Sequence, residues 1–377
     1  MDEKLLFIND AEINVSNGYT AFCKMNKEVL KDIYQENFFC VNLRGNEDKE
    51  DGTEYFFKDY TNGSAKLINI VCGHPTYLSP AREKKICQII RENEITKVVV
   101  SSSTCGKLIR KIKTDFPHVI VANIFHDIEA ILMGSQLSMV GIFRKLALLS
   151  MIRNEKLTVR YSDKKVVFNQ RDADLYKQYY HKNVDGIIPI FIKSGDIKPE
   201  ENKKADKKLN LLFVGVYYYP NVNGVKWFVK NVLPEIDADI QLNIVGRGME
   251  VLKDEFQDER VNVIGGVSNI AEYYRDADII IAPIFEGGGM KVKTAEAISY
   301  GKVVVGTRES LMGYYSTVPD QLLNQKIFRC ENAQEYIEAI HKLSRTEVNK
   351  FNQDVYDWYM GNYSFEANRK KFVQLFK

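Results

Sequence analysis

Residues 283–307 read PIFEGGGMKVKTAEAISYGKVVVGT and follow the run Asp278-Ile279-Ile280-Ile281. That β-branched run has the composition of a buried parallel strand. Gly287, Gly288 and Gly289 then make a turn, and 290–300 has helical spacing. Gly301 closes the helix as a C-terminal cap, and 302–306 is a second apolar strand. Strand, glycine turn, helix, strand is the plan of a site for an anionic ligand. Glycines let backbone N–H groups approach phosphate oxygens, and the helix N-terminus adds partial positive charge. Lys291 and Lys293 fall in the first turn of this helix, where they oppose its dipole, and a bound anion would balance them.

The same alternation runs outward in both directions. Before the opening stretch lie strands at 210–216, 241–245 and 261–264, a helix at 225–233 stopped by Pro234, and a short helix at 270–274. After it come a strand at 327–329, a helix at 332–343 and a terminal helical segment, 348–376. The first half opens on a strand at 4–9, a polar loop at 10–20 and an amphipathic helix at about 21–35. Apolar runs at 38–43, 67–72, 97–101 and 119–124 take the place of further strands, with helical patterns at 80–92 and 106–115. Residues 46–53 read as a charged, turn-rich surface excursion, 164–169 as a strand, and 170–174 as a turn into a short helix. Strands alternating with helices predict parallel α/β sheets with right-handed crossovers.

The expected architecture is two Rossmann-like domains. The first spans 1–195, the polar stretch 196–208 links it to a second at 209–347, and 348–377 forms terminal helices that pack back toward the first. From 135 to 160 a long helical pattern mixes apolar residues with Arg144, Lys145, Arg153, Lys156 and Arg160. Its ordinary reading is a helix pair covering one sheet face, and its sharper reading is a basic, apolar surface for an anionic membrane.

The 377 residues allow two domains of ordinary size, and 45% hydrophobic with 27% charged residues is a soluble globular composition. A net charge of +2 gives no general attraction to nucleic acid. The acidic N-terminus lacks a signal-peptide pattern, and no apolar run has the length of a membrane span. Six cysteines without a CxxC pair read as reduced thiols of a cytoplasmic protein.

Four segments carry a family resemblance: FVGVYYYPNVNGVKWFV (213–229), NIVGRG (243–248), VNVIGGVSNIAEYYRDADIIIAPI (261–284) and GGGMKVKTAEAISYGKVVVGT (287–307). Their order and spacing resemble the donor-binding domain of the group 1 retaining glycosyltransferases (family 4, GT-B fold). The loop around Gly18, Phe125-His126-Asp127 and RYSDKKVVFNQRDADLYKQYY (160–180) sit where that family has similar stretches. The resemblance implies two Rossmann-like domains facing a central cleft. It implies transfer of a sugar from a nucleotide diphosphate donor to a cell-surface or exopolysaccharide glycan acceptor, commonly lipid-linked, by a cytoplasmic enzyme at the inner face of the membrane.

Residue by residue, the resemblance gives Glu296 the ribose hydroxyls, which suits an acceptor-only carboxylate. Gly287, Gly288 and Gly289 cradle the diphosphate, and the loops of Gly246, Gly248 and Val267 surround the base. His126 lies beside the reacting sugar, and the loop of Asn17 and Gly18 reaches acceptor or phosphate. Two departures stand out. The family's second Glu, eight residues before the first, is Gly288 here, and Glu286 is out of register. An Arg and a Lys that neutralise diphosphate in many relatives correspond to Val216 and Asn221, so Lys291 and Lys293 are expected to replace them on the leaving group. The reaction is expected to be a front-face transfer in which the leaving phosphate helps deprotonate the acceptor, without a metal, because no DxD motif stands near the glycines. Two other readings stay open: a non-catalytic GT-B partner that stabilises another transferase, and a nicotinamide-dependent dehydrogenase. The latter lacks the expected GxGxxG after its first strand.

Overall fold

The computed structural model describes residues 3–12, 18–59, 63–136, 141–193 and 208–377. The chain separates into two compact units: Met1–Ile188 together with Arg369–Lys377, and Pro189–Asn368. Of the expected linker, only Lys208 lies within the described residues.

The first unit holds strands β1 (Leu5–Asn9), β2 (Phe38–Gly45), β3 (Lys49–Asp51), β4 (Glu54–Lys58), β5 (Lys97–Ser101), β6 (Ile120–Ile124), β7 (Lys164–Val167) and β8 (Gly186–Ile187). Its helices are α1 (Gly18–Tyr34), α2 (Gly63–Val71), α3 (Pro80–Glu92), α4 (Gly106–Asp115), α5 (Glu129–Gln136), α6 (Ile142–Tyr161) and α7 (Gln170–Tyr180). The strands form one sheet in the order β3-β4-β2-β1-β5-β6-β7-β8, parallel except for β3 against β4. β1 and β5 are buried along their whole length, which is why they read as unbroken apolar runs. The order reverses between β1 and β5, so the loops leaving those strands diverge and open a crevice.

One expectation fails here, and one strand went unread. Residues 67–72 fall largely within helix α2, not a strand. Leu67, Ile68 and Val71 are exposed while Asn69 is buried and donates to the Thr76 carbonyl at 3.0 Å, so the polar residue faces the protein. A short apolar run does not by itself distinguish helix from strand. Residues 46–53 contain an edge strand, β3, that turns at Gly52 (φ 60°) into β4, which the sequence reading missed. The charges of β3 are all exposed, as suits a sheet edge.

The second unit holds β9 (Leu209–Val214), β10 (Ile240–Val245), β11 (Val261–Gly265), β12 (Ile279–Ala282), β13 (Val303–Gly306) and β14 (Ile327–Arg329). Its helices are α8 (Tyr219–Asn231), α9 (Ala271–Asp276), α10 (Val292–Ser299), α11 (Ala333–Ser344), α12 (Gln353–Asn362) and the start of α13 (Phe365–Phe376). The sheet is parallel throughout, in the order β11-β10-β9-β12-β13-β14. It reverses between β9 and β12, which puts the loop after β9 and the glycine turn after β12 at the switch point. Phe213, Phe228, Ile281, Val305 and Tyr336 share one buried core beneath them. α8 contains most of the stretch read as helical, 225–233, and starts at Tyr219, with Pro220 in its first turn, a position compatible with a helix start.

Candidate functional site

At the switch point of the second unit, close backbone approaches are possible only for glycine. A Cβ on Gly246 (φ 155°) would fall 1.9 Å from the Gly215 carbonyl oxygen, and one on Gly248 (φ 84°) would fall 2.7 Å from Tyr217 Cβ. Tyr217 N–H donates to the Arg247 carbonyl at 2.9 Å, so the loops after β9 and β10 lie against each other. Val267 is partly exposed just beyond the end of β11.

The glycine turn leaves β12 with Phe285, Glu286, Gly287 and Gly288 exposed. Gly287 (φ 134°) and Gly289 (φ 60°) adopt conformations that suit glycine. Lys291 flanks α10 instead of lying in its first turn. Its ammonium donates to the Gly288 and Gly289 carbonyls at 3.0 and 3.2 Å and pairs with Glu309 at 2.7 Å. Lys291 therefore ties the turn together with its charge balanced, and its own carbonyl accepts from Tyr314 OH at 2.9 Å.

Lys293 is different. Its Nζ donates to Asn221 Oδ1 at 2.7 Å and stands 4.7 Å from the centre of the Phe213 ring. Asn221 Nδ2 in turn donates to the Val216 carbonyl at 2.8 Å. Lys293 thus meets one of the two positions that carry no charge after β9, Asn221, which in turn holds the other, Val216, by its carbonyl. Burial, with the Lys291 ammonium as a second cause, pushes its pKa down to about 7. One turn further along α10, Glu296 accepts from Tyr274 OH at 2.8 Å. Tyr274 is buried and stacks on Tyr300 at 4.9 Å. Burial raises the Glu296 carboxyl, against the Tyr274 hydrogen bond and the Lys293 charge, which lower it.

His126 follows β6 in the first unit. Its ring packs on Tyr19, Phe22 and Phe168, with centroids 4.5, 5.5 and 5.1 Å away. Nε2 shares a hydrogen bond with Ser101 Oγ at 2.9 Å, and burial pushes the imidazole down to about 4, so it is neutral at physiological pH. It borders a pocket of about 190 Å³ at the switch point, with Asp10, Tyr19, Tyr77, Ser102, Thr104 and Glu129. Burial, with Asp127 as a second cause, pushes Glu129 up to about 8. Gly18 is exposed at the start of α1, and Asn17 lies outside the described residues.

The structure therefore gathers Gly246, Gly248, Gly287, Gly289, Lys291, Lys293 and Glu296 on the loops and helix of one sheet end, while His126 and Gly18 belong to the other unit. The sequence reading missed Tyr274, Glu309 and the hydroxyl-rich pocket around His126. These are long-range partners, and only a Tyr or Glu near a strand end hinted at them. Among the described residues no three His, Cys, Asp or Glu side chains gather as a metal site requires, and no helix is long and apolar enough to cross a membrane.

Residues 208–346 match the family described as Glycosyl transferases group 1. No curated protein matches the chain in sequence. Among solved structures, the Anabaena protein HepE in complex with UDP is 12% identical, with 98% of each chain covered and a TM-score of 0.70. The lipopolysaccharide outer core galactosyltransferase WaaB is 14% identical over 99% of this chain and 98% of its own, with a TM-score of 0.67. A glycosyltransferase from Rickettsia africae is 14% identical over the same shares, with a TM-score of 0.68.

Proposed function

We propose that this chain, a GT-B protein that carries a group 1 glycosyltransferase domain at residues 208–346, moves a sugar from a nucleotide diphosphate sugar to a glycan. The glycan is a cell-surface or exopolysaccharide acceptor on a lipid carrier at the cytoplasmic face of a membrane, and the anomeric configuration of the sugar is retained. The observation that carries the reading is the Lys293 ammonium held at Asn221, beside a glycine turn and the N-terminus of α10.

In this reading the diphosphate rests on the turn of Gly287 to Gly289, with the helix N-terminus behind it. The ribose diol donates to Glu296, whose position Tyr274 holds, and the base lies against the loops of Gly246, Gly248 and Val267. As the bond from the anomeric carbon to the phosphate oxygen breaks, charge gathers on the phosphate, where Lys293 stabilises it. The departing phosphate takes the proton of the acceptor hydroxyl that attacks the same face. His126, neutral in its pocket, exchanges a hydrogen bond with a sugar hydroxyl. HepE in complex with UDP, and with UDP-glucose, makes uridine donors the first to try.

The test is incubation with a panel of nucleotide sugars, following released nucleoside diphosphate and the anomer formed. The expected result is turnover with one base and retention at the anomeric carbon. A thermal shift with a nucleotide but no turnover of any donor would instead favour a non-catalytic partner of another transferase, for which exposed Gly288 in place of a carboxylate is the specific feature.

A further inference from the structure

The pocket beside His126 is built of groups that read hydroxyls. It lies where the loops after β1, β5 and β6 come together, and Asp10, Tyr77, Ser102, Thr104 and Glu129 line it with the imidazole. Tyr77 OH shares hydrogen bonds with Ser102 Oγ at 3.1 Å and Thr104 Oγ1 at 2.8 Å, and those two oxygens lie 3.1 Å apart. All three side chains are buried, and each hydroxyl can both donate and accept. A triangle of this kind exchanges hydrogen bonds with a polyol without leaving a buried group unmatched. In the loop after β1, the buried Asp10 carboxylate accepts from Tyr19 OH and offers acceptors only.

The charge in and behind the pocket has one sign. Glu155 is fully buried and accepts from Ser103 Oγ at 2.7 Å, from the Glu129 and Ala130 N–H groups, each at 2.9 Å, and from Tyr180 OH at 2.6 Å. Those donors are neutral, so hydrogen bonds and not a counter-ion hold this carboxylate. Arg44 is the one cation on the pocket wall among the described residues, and it is already paired with Glu12 and, at 3.1 Å, with Asp59. The stretches 13–17, 60–62 and 137–140 read INVSN, YTN and LSMV and add no charge. Glu129 shows the result. Burial, with Asp127, Glu155 and Asp10 acting the same way, holds its carboxyl up at about 8, so it keeps its proton at neutral pH. An acid brought in on a ligand meets the same burial and the same carboxylates, and like charges set together reject a partner strongly. We propose that this pocket seats the terminal sugar of the acceptor and admits only a neutral or amine-bearing one, with Asp10 turning away uronic, sialic and phosphorylated sugars. That the sugar is the acceptor's rests on the transferase reading; the charge selection rests on the first unit alone.

Saturation-transfer NMR of the full chain at neutral pH tests it, with methyl glucoside, methyl glucosaminide, methyl glucuronide and their galacto counterparts as probes. In at least one of the two configurations the neutral and amino glycosides should bind, the amino one tighter, and the uronide at least about tenfold more weakly than the neutral one. Asp10→Asn, which can still accept from Tyr19 OH, should bring the uronide within about threefold of the neutral glycoside. Glu129→Gln should weaken the amino glycoside by about tenfold, since its ammonium loses a carboxylate. The wild-type ratio and Glu129→Gln decide the matter even where Asp10→Asn fails to fold. A uronide that binds the wild type as well as the neutral glycoside overturns the proposal, as does the failure of every probe to bind. Turnover of a donor together with equal binding of the three sugars would overturn this inference and leave the transferase reading intact. The expected ratios without turnover of any donor would do the reverse.

Discussion

The ammonium of Lys293, in the first turn of α10, lies 2.7 Å from the side-chain oxygen of Asn221, at the start of α8. The contact joins the loop after β9 to the helix after β12 across the reversal in strand order, so a cation from one loop occupies ground that belongs to the other. Removing it with Lys293→Ala should lower kcat/KM for the donor by roughly a hundredfold or more, the scale for a preorganised group on a developing charge. Asn221→Lys in the same background returns an ammonium to the same spot and should recover about tenfold. Steady-state kinetics with donor and acceptor decides this. Activity of Lys293→Ala within a few-fold of wild type would sink the assignment.

Lys293 also makes donor binding pH-dependent. With its pKa near 7 in the free protein, the ammonium is part-neutral at neutral pH, and a bound diphosphate favours the charged form. Affinity should therefore be greatest below about pH 7 and fall as the pH rises through that value, with a proton taken up on binding. Calorimetry in buffers of different ionisation enthalpy measures the uptake. Lys293→Arg, whose guanidinium stays charged, should abolish it. Uptake that is unchanged in that variant would trace the proton to another group.

How far the chain could be read in advance follows from which interactions are local. β9, β12 and β13 were legible because a strand buried on both faces is apolar almost throughout. The glycine turn and α10 were legible because Gly287 to Gly289 and Gly301 punctuate the sequence directly. The Lys293–Asn221 contact was not, since it depends on the spatial neighbourhood of β9 and β12. Tyr274 could be placed on a short helix but not against Glu296, 22 residues away. α2 was misread because its apolar residues face solvent, so its periodicity reports no core.

Glu296 should be the ribose reader, and Tyr274 its positioning residue. Glu296→Ala should weaken binding of a ribonucleoside diphosphate by roughly tenfold to a hundredfold, since a hydrogen bond to a charged acceptor contributes about 1.5–3 kcal/mol. The same variant should bind the 2′,3′-dideoxy nucleotide about as well as wild type does, because that ligand has no diol to lose. Tyr274→Phe should show a smaller loss of the same selectivity. Equal losses for both nucleotides in Glu296→Ala would point to a structural role for the carboxylate.

His126 should make the protein acid-sensitive. Its folded pKa is about 4 against an ordinary value of 6.5, so between those values the unfolded chain binds more protons. Stability from this group is complete above about pH 6.5 and is lost as the pH falls toward 4. The loss is at most roughly 3 kcal/mol, given the ring's partial exposure. Urea unfolding at several pH values should show a shallower acid loss in His126→Gln than in wild type. Parallel curves for the two proteins would contradict this.

The chain's last residues should stabilise the first unit through backbone carbonyls that side chains far away in sequence need. Lys97 is 8% exposed, and its ammonium donates to the Phe376 carbonyl at 2.8 Å and pairs with Glu3 at 2.6 Å. Tyr34 OH donates to the same carbonyl at 2.7 Å. Gly186 in β8 leaves the space that Leu375 fills, since a Cβ there would fall 2.6 Å from it. Deleting 369–377 therefore strips partners from a buried cation and a buried hydroxyl and uncovers apolar surface. Leaving such groups unsatisfied costs roughly 2–5 kcal/mol, enough to lower the melting temperature by about 5–15 °C. Lys97→Met in the truncated chain removes the ammonium that lost one of its two partners, the other being Glu3, and should restore part of the difference. Differential scanning fluorimetry of the three proteins reads the outcome, and a truncated chain that melts with the full one would show that these carbonyl contacts contribute nothing to the unit's stability.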